Sequence, residues 1–433
     1  MKRISYLILI VTVFTHPLMA QDVNKLIKEK QVSKIINTLA SDDMRGRSAL
    51  VPDDINKAGA FIEKQFKKAG LQPLQGLNGY RQEFQKVKLS RTSLEVIVAG
   101  KAISEDRLIL SSGAEVINLG TTTPIDTIGK SQPLFPSLSA IERNGGDRIV
   151  LVDKTHADEF KTAQHYLSRP KILDPGAQSS GSILYILDQE RPDDIAVKAT
   201  QSKETITMTN IVGVLPGKSM QDESVVFSAH YDHIGIQEPV AGDSIANGAD
   251  DDASGTTAVI SLAKYFSKLK SNERSLIFVA FTAEEIGGFG SKYFSQQLDP
   301  EKVVAMFNIE MIGKASKWGQ NAAFITGFER SDFGEILQKN LEGTDFQIHS
   351  DPYPEQNLFY RSDNATLARL GVPAHSISTD QIPTDPYYHT VDDEVSTLDM
   401  ANITAAIRGI ALSAKTIVDG VDTPSRVDKS KVN

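Results

Sequence analysis

Between residues 210 and 418 the sequence alternates short apolar runs with stretches of helical periodicity, and this alternation limits the possible folds. The strand candidates at 225–229, 276–281, 303–309 and 374–378 have the length of buried strands. The stretches between them repeat apolar residues every three or four positions, which is typical of helices. Strands that alternate with helices favour a sheet that is covered on both sides. We therefore predict an α/β fold with a mixed, largely parallel central sheet and helices on both faces.

The rest of the chain divides into segments of different character. Residues 22–74 show helical spacing around a polar loop at 41–54, which predicts two amphipathic helices. Residues 89–203 change to short strand-like runs broken by Gly, Pro, Ser and Asp, which predicts a β-rich insert. The predicted organisation is a signal peptide at 1–20, an N-terminal helical part of the main domain at 21–88, the insert at 89–204, the rest of the main domain at 205–420 and a loose polar tail at 421–433.

The first 20 residues have the three parts of a secretory signal. Lys2 and Arg3 precede an apolar run at 6–14, and the small residue Ala20 completes a cleavage site. The apolar run is about half as long as the ~20 residues that a membrane-spanning helix needs. We therefore expect an exported protein, periplasmic or secreted, that keeps no membrane anchor after signal cleavage.

The sequence lacks cysteine, and its charge balance is acidic. Without a thiol the chain has no disulfide and no cysteine nucleophile, so any metal must be held by His, Asp and Glu. The formal net charge is -9, and it becomes -11 when Lys2 and Arg3 leave with the signal. This charge disfavours binding to nucleic acid or to an anionic membrane surface.

Imidazole and carboxylate side chains follow three of the predicted strands where the strands end. His230 and Asp232 follow the first strand, Glu284 and Glu285 the second, and Glu310 the third. Open α/β sheets build their ligand sites at this edge. Two glutamates at the end of a buried strand are costly without a cation or a shared proton, which favours one metal ligand and one base. Asp232 is placed to orient the imidazole of His230.

Two further groups complete the candidate site. Asp250, Asp251 and Asp252 lead into a predicted helix that begins near Gly255, and His389 precedes the last helix. A helix dipole favours acidic residues at its N-terminus without any metal, but three adjacent carboxylates repel one another and a divalent cation would relieve that repulsion. Two imidazoles and three carboxylates without a thiol form the ligand set expected for a carboxylate-bridged zinc pair.

In these motifs the sequence resembles the M28 family of zinc peptidases, which includes aminopeptidases with two zinc ions. The matching stretches are 228–233, 248–255, 283–287, 308–313 and 388–390, and the resemblance covers about 22–88 and 205–418. It implies a zinc-exopeptidase type of fold, with residues 205–420 as the catalytic domain. The insert resembles at best a degenerate protease-associated domain.

The resemblance implies that two Zn²⁺ ions bind per chain. Asp251 would bridge them, and the peptide bond after Asp251 would be cis. His230 and Glu310 would bind one ion, and Glu285 and His389 the other. The family more often has Asp at position 310, so the occupancy and identity of the metal at Glu310 stay open.

The resemblance also implies roles for three residues that do not bind metal. Glu284 would act as general base toward a hydroxide that bridges the two ions, and Asp232 would orient His230. Tyr388 would either donate a hydrogen bond to the oxyanion or serve in packing. His233 and His375 are expected to be supporting or core histidines.

The implied function is that of an exported aminopeptidase, whose partner is a peptide or protein with a free N-terminus. Three alternatives remain open. The same scaffold supports carboxypeptidases or dipeptidases, because the metal motifs specify hydrolysis and not the terminus that is recognised. It also supports a single-zinc glutaminyl cyclase, and a non-catalytic binding protein could keep the fold. The oligomeric state does not follow from the sequence.

Overall fold

The structure is a computed structural model, and it describes residues 23–432. The predicted signal peptide at 1–20 lies outside the described residues. Within residues 23–432, no helix combines the length and the apolar character needed to cross a membrane. The chain divides into two compact units, one made of the residues up to Glu83 and from Met208 onward, and the other made of Phe84–Thr207. The second unit extends a few residues beyond each end of the predicted insert.

The strands are β1 Arg81–Val98, β2 Lys101–Ala102, β3 Leu108–Ser112, β4 Val116–Gly120, β5 Ile125–Ile128, β6 Arg148–Val152, β7 Lys171–Leu173, β8 Ser182–Leu187, β9 Ile195–Leu215, β10 Met220–His230, β11 Gly235–Val240, β12 Asp243–Ala246, β13 Arg274–Phe281, β14 Val303–Ile309, β15 Ala322–Ile325, β16 Gln347–Ser350 and β17 Ala374–Ser378. The helices are α1 Glu29–Leu39, α2 Pro52–Ala69, α3 Leu134–Asn144, α4 Ala157–Leu167, α5 Gly255–Leu269, α6 Phe289–Gln296, α7 Phe333–Asn340, α8 Asn364–Ala368, α9 Met400–Ser413 and α10 Lys415–Val418.

The first unit is built on a mixed, largely parallel sheet, which confirms the predicted fold class. Its strands follow the order β16, β15, β17, β14, β10, β13 and β9. The pairings of β14 with β17, of β10 with β14 and with β13, and of β15 with β16 are parallel. β15 pairs with β17, and β9 with β13, in the antiparallel sense. The four strands predicted from the sequence are β10, β13, β14 and β17.

The central strands are buried on both faces, as the continuous apolar runs predict. In β10, Val225 and Phe227 belong to one apolar cluster, and Val226 belongs to another. Side chains of α1, α2, α5, α7 and α9 complete the first cluster, and side chains of α6 and α8 complete the second. Helices therefore cover both faces of the sheet.

The C-terminal segment differs from the expectation of a loose tail. Val427 is 4% exposed, and its backbone N–H bonds the carbonyl of Gly371. The guanidinium of Arg426 donates to the carbonyls of Val303 and Pro300. The prediction of a loose tail was wrong because it considered polarity alone, whereas this polar segment is fixed through its hydrogen bonds.

The second unit contains more helix than the sequence predicts. A four-stranded sheet has the order β3, β8, β6 and β5, in which β6 is parallel to both of its neighbours. Side chains of α3 and α4 pack on this sheet through Leu134, Leu138 and Phe160. The remaining strands pair with β1 and β9. The unit is therefore mixed α/β, with strands where the sequence predicts them and with two helices that the sequence analysis missed.

Candidate metal centre

The candidate residues lie at one edge of the central sheet because three neighbouring strands run parallel. β14, β10 and β13 are adjacent, so their C-terminal ends share an edge. β10 ends at His230, and Glu310 directly follows β14. A short turn after β13 leads to Glu284 and Glu285. Because these neighbouring strands are parallel, side chains that are far apart in the sequence lie close together at this edge.

Asp251 lies between two pairs of side chains, each made of one histidine and one glutamate. The Nε2 atom of His230 is 3.1 Å from Asp251 Oδ1 and 3.1 Å from Glu310 Oε1. On the other side, the Nε2 atom of His389 is 3.2 Å from Asp251 Oδ2 and 3.0 Å from Glu285 Oε2. The structure therefore brings all five predicted ligands together, with Asp251 shared by the two groups.

The donor atoms fit a pair of zinc ions. A tetrahedral zinc ion with bonds of 2.0–2.2 Å separates its ligand atoms by about 3.3 Å or slightly more. The observed separations of 3.0–3.2 Å are close to this value, and the donors are the imidazole nitrogens and carboxylate oxygens that zinc accepts. Asp252 is also near, since it forms a group with His230 and Glu310 whose ligand atoms lie within 4.8 Å of one another.

The charges around Asp251 also suit a cation. Burial lowers the pKa of His230, but Glu310 and Asp251 outweigh burial and raise this pKa well above its ordinary value. Burial likewise lowers the pKa of His389, but hydrogen bonds to Asp251 and Glu285 raise it to about 10. The positive charge of the protonated imidazoles thus offsets part of the negative charge of the carboxylates. A divalent cation would have to displace these protons.

The three consecutive aspartates have different environments. The Asp251 side chain faces the two histidines, whereas Asp250 Oδ1 accepts the backbone N–H of Gly313 at 2.7 Å. Asp252 Oδ1 accepts two backbone N–H groups, at 2.9 and 3.1 Å. The peptide bond between Asp251 and Asp252 is cis, as the resemblance implies. Backbone donors therefore separate the three carboxylates and direct one of them into the site.

Asp393 fixes the loop that carries Asp251. The Asp393 carboxylate accepts the backbone N–H of Asp250 and of Asp251, each at 3.0 Å, and its backbone carbonyl accepts the N–H of Ala249. Asp393 is buried and lies only four residues after His389. One residue thus connects the two segments that supply Asp251 and His389. Asp393 was not identified from the sequence.

Asp232 lies beside His230, and its backbone and its carboxylate have different partners. The Nδ1 atom of His230 contacts the backbone carbonyl of Asp232 at 3.1 Å, while the nearest Asp232 carboxylate oxygen is 3.8 Å away. The carboxylate instead accepts the backbone N–H of Glu284 at 3.1 Å and of Glu285 at 3.4 Å. The backbone carbonyl of Asp232 thus contacts His230, while its buried carboxylate binds backbone donors of the next loop.

Glu284 is partly buried beside the first group of ligands. Burial raises its pKa well above the ordinary value, and Glu310 and Asp363 add to this effect while His230 opposes it. Asp363 is buried, and burial raises its pKa to about 7. A carboxylate whose affinity for protons is raised in this way suits a proton-transfer role.

Tyr388 lies against His389 and lines a pocket next to Glu310. The two rings stack with centroids 3.9 Å apart and an angle of 20° between their planes. The hydroxyl is 3.5 Å from Nη2 of Arg361. Burial, followed by Asp251 and Glu285, raises the pKa of Tyr388 above its ordinary value, so the hydroxyl keeps its proton at neutral pH. The side chain is therefore a competent hydrogen-bond donor.

Arg47 binds the backbone of segments that carry site residues, and it was not identified from the sequence. Its guanidinium donates to the backbone carbonyls of Leu39, Tyr231, Asn247 and Gly248 at 2.6–2.9 Å. The side chain is fully buried. Arg47 thus connects the end of β10 with the segment that leads to Asp251. An arginine in a polar loop gives no sequence signal of burial.

The other two histidines have supporting and core positions. His233 contacts Glu285 through Nδ1, 2.7 Å from Oε1, and lies 3.8 Å from Asp251. His375 is buried in the sheet, where Nδ1 bonds the carbonyl of Thr326 and Nε2 bonds Ser331 Oγ, each at 2.8 Å. His375 therefore serves in the core of the sheet, while His233 helps to fix Glu285.

Comparisons with known proteins agree with this geometry. Residues 210–414 match the model of peptidase family M28. A leucine aminopeptidase 1 from Pyrenophora tritici-repentis is 29% identical over 62% of this chain and 68% of its own length. A probable leucine aminopeptidase from Arthroderma benhamiae is 29% identical over 44% of this chain, which spans about half (51%) of that protein. An aminopeptidase from Aneurinibacillus sp. strain AM-1 shares the fold, with a TM-score of 0.59, 19% identity and coverage of 96% of this chain and 98% of that one.

Proposed function

Because this chain belongs to peptidase family M28 and is a zinc-dependent peptidase, we propose that it is an exported aminopeptidase with two zinc ions per chain. The observation that carries the proposal is the position of Asp251 between two pairs of histidine and glutamate, with Glu284 beside them. In this proposal His230 and Glu310 bind one ion, and Glu285 and His389 bind the other. When bound, the two ions would supply a Lewis acid for the substrate carbonyl and would lower the pKa of water.

The protein side chains provide the proton transfers. Glu284 takes a proton from the attacking water and passes it to the leaving amine, a task suited to a carboxylate whose pKa burial has raised. Tyr388, which keeps its own proton, donates a hydrogen bond to the oxygen of the substrate carbonyl as negative charge develops on it. His233 fixes Glu285, and the carbonyl of Asp232 fixes the imidazole of His230.

The charge of the site supports recognition of a free N-terminus. Carboxylates are the majority of the ionisable groups there, and Glu284, Glu310 and Asp363 lie on the side of His230. A protonated α-amino group is attracted to carboxylates that the zinc ions do not neutralise, whereas a C-terminal carboxylate is repelled by them. These carboxylates favour an aminopeptidase over a carboxypeptidase. The names of the leucine aminopeptidases above support the same choice.

Export is proposed from the first 20 residues of the sequence. Their charged, apolar and small-residue parts are those of a signal peptide, and the mature chain would begin at Gln21. The absence of cysteine from the whole sequence agrees with a protein that has no lipid anchor on a cysteine. The proposed location is the periplasm or the medium. Detection of the mature N-terminus at Gln21 in an exported fraction would support this part of the proposal.

The test of the catalytic proposal combines metal content with activity. We expect residues 21–433 to bind two zinc ions per chain and to hydrolyse aminoacyl arylamides but not their N-blocked analogues. Glu284→Gln should keep both ions and lose at least 100-fold in kcat, which is the low end of what general acid–base catalysis contributes. Glu342→Gln, the same change at an exposed position, should retain activity.

Other results would select one of the alternatives. One zinc ion per chain together with cyclisation of N-terminal glutamine would support the glutaminyl cyclase. Cleavage of N-blocked substrates at a free C-terminus would support the carboxypeptidase. Zinc binding without hydrolysis of any of these substrates would support a binding protein.

A further inference from the structure

A pocket with an apolar wall opens beside Glu310 and Tyr388. It encloses about 470 Å³ of space, including its open mouth. Met311, Phe324, Leu358 and Ile382 form its apolar wall. Because Glu310 is a proposed metal ligand, a substrate whose first peptide bond lies at the metal centre would have its N-terminal side chain close to this pocket.

One lining residue, Asp380, is unusual because its carboxylate is buried. It is 3% exposed, and neither of its carboxylate oxygens accepts a hydrogen bond from a donor group in the described part of the chain, although a proton on it can be shared with the neighbouring acid Asp385. The position is well defined by the backbone, since the N–H of Asp380 donates to Ser378 Oγ and Thr379 bonds the carbonyl of Met311. Buried carboxylates without partners are costly, so a missing partner is expected.

The neighbouring charges leave Asp380 without a full counter-ion. Asp250 and Asp385 have oxygens within 4.8 Å of an Asp380 oxygen. The Lys314 ammonium is 3.2 Å from Asp250 Oδ2 and 2.5 Å from Asp385 Oδ2, so it is bound to those two carboxylates. Three acids thus share one ammonium. Arg361 also lines the pocket, but its guanidinium contacts Tyr388 and Gln356 at 3.4–3.5 Å.

The pKa of Asp380 agrees with this shortage of positive charge. Burial, followed by Asp250 and Asp385, raises the pKa to about 9, although Lys314 opposes the change. In the empty pocket at neutral pH the carboxyl would therefore hold a proton. A cation inside the pocket would favour release of this proton and would gain a buried, charge-assisted hydrogen bond.

We propose that this pocket receives the side chain of the N-terminal residue of the substrate, and that Asp380 selects basic side chains. The methylene groups of lysine or arginine would lie along Met311 and Phe324, and the cation would reach the Asp380 carboxylate. This inference rests on the proposed aminopeptidase function, and it names the substrate class of that site. A leucine side chain would fill the apolar wall but would leave the carboxyl without a partner.

The test compares lysine with norleucine, which has a four-carbon side chain without the ammonium group. For the zinc-loaded protein we expect kcat/KM for lysine p-nitroanilide to exceed that for norleucine p-nitroanilide at least tenfold. Asp380→Asn should lower this ratio tenfold or more. The matched control is Asp385→Asn, which removes a charge from the same cluster at a residue outside the pocket lining and should change the ratio by less than threefold. Equal losses in the two variants would overturn the direct contact with Asp380.

A binding measurement separates this inference from the proposed function. Calorimetric titration of the wild-type, zinc-loaded protein should show L-lysine binding at least tenfold more tightly than L-norleucine, a comparison that needs no variant. If arylamides are hydrolysed but lysine has no advantage in either assay, the pocket assignment is wrong and the aminopeptidase proposal stands. If no arylamide is hydrolysed but lysine still binds more tightly than norleucine, the pocket assignment stands and the aminopeptidase proposal fails.

Discussion

The replacement of Asp393 by asparagine tests how the loop with Asp251 is fixed. The Asp393 carboxylate accepts the backbone N–H groups of Asp250 and Asp251, each at 3.0 Å. An asparagine side chain has a single acceptor oxygen, so its NH₂ group would face one of these two donors. The loss of one buried hydrogen bond, with a donor left unsatisfied, costs about 1–3 kcal/mol. Because groups that orient metal ligands typically change metal affinity 10–100-fold, we expect zinc affinity to fall by about this factor.

The assay is a titration of metal-free protein with zinc against a competing chelator, combined with urea unfolding of the same samples. Asp392→Asn is the matched control, because Asp392 is the exposed neighbour and carries the same chemical group. This control should change the free energy of unfolding by less than about 0.5 kcal/mol. Wild-type zinc affinity in Asp393→Asn would refute the reasoning. A loss of stability without a loss of affinity would limit Asp393 to a role in folding.

Three further predictions follow from contacts described above. Arg47→Lys should lower the free energy of unfolding by about 2–4 kcal/mol in urea titrations, because an ammonium cannot reach four backbone carbonyls. The control is Arg45→Lys, the same change at an exposed position. Equal stability of the two variants would contradict the role assigned to Arg47. Burial, with a smaller contribution from Arg330, lowers the pKa of His375 to about 4. The unfolded chain therefore binds more protons than the folded chain between about pH 6.5 and 4. The free energy of unfolding should fall as the pH falls through this range, by at most about 3 kcal/mol. Metal-free His375→Gln should lack this component when its pH profile is compared with that of metal-free wild type, and parallel profiles would disprove the assignment. Glu285→Gln should reduce bound zinc from two ions to one, as measured by elemental analysis, and retention of both ions would contradict its role as a ligand.

The sequence predicts the main sheet well because its signals are local. The runs that form β10, β13 and β14 are mostly apolar, as expected for strands buried on both faces, whereas β17 also contains His375, Ser376 and Ser378. The positions of His230, Glu285 and Glu310 then follow from the rule that ligand sites of α/β sheets lie at the strand ends. The structure brings these residues together with Asp251 and His389, and their chemical roles stay predictions until metal and activity are measured.

The features that the sequence does not predict depend on contacts between distant segments. Arg47 is buried because four carbonyls from three segments surround it, and no local pattern encodes that arrangement. The same is true of Asp380, which becomes a pocket residue only when β17 lies beside β14. Helix α3 contains Pro136 and two serines, so its short apolar pattern is weak. The ordered segment around Val427 is polar in sequence and is fixed by tertiary hydrogen bonds.

The ligand order along the chain has a consequence for the lifetime of the folded protein. His230 and His389 are about 160 residues apart in sequence, and Asp251 lies between their imidazoles. Metal ions held as proposed would act as a reversible cross-link that closes this long loop, and closing a loop restricts the unfolded chain. Unfolding would then require the release of metal, so the metal dissociation rate would limit how fast the protein is inactivated. A slow step of this kind would protect the folded chain from proteases that cleave only its unfolded form.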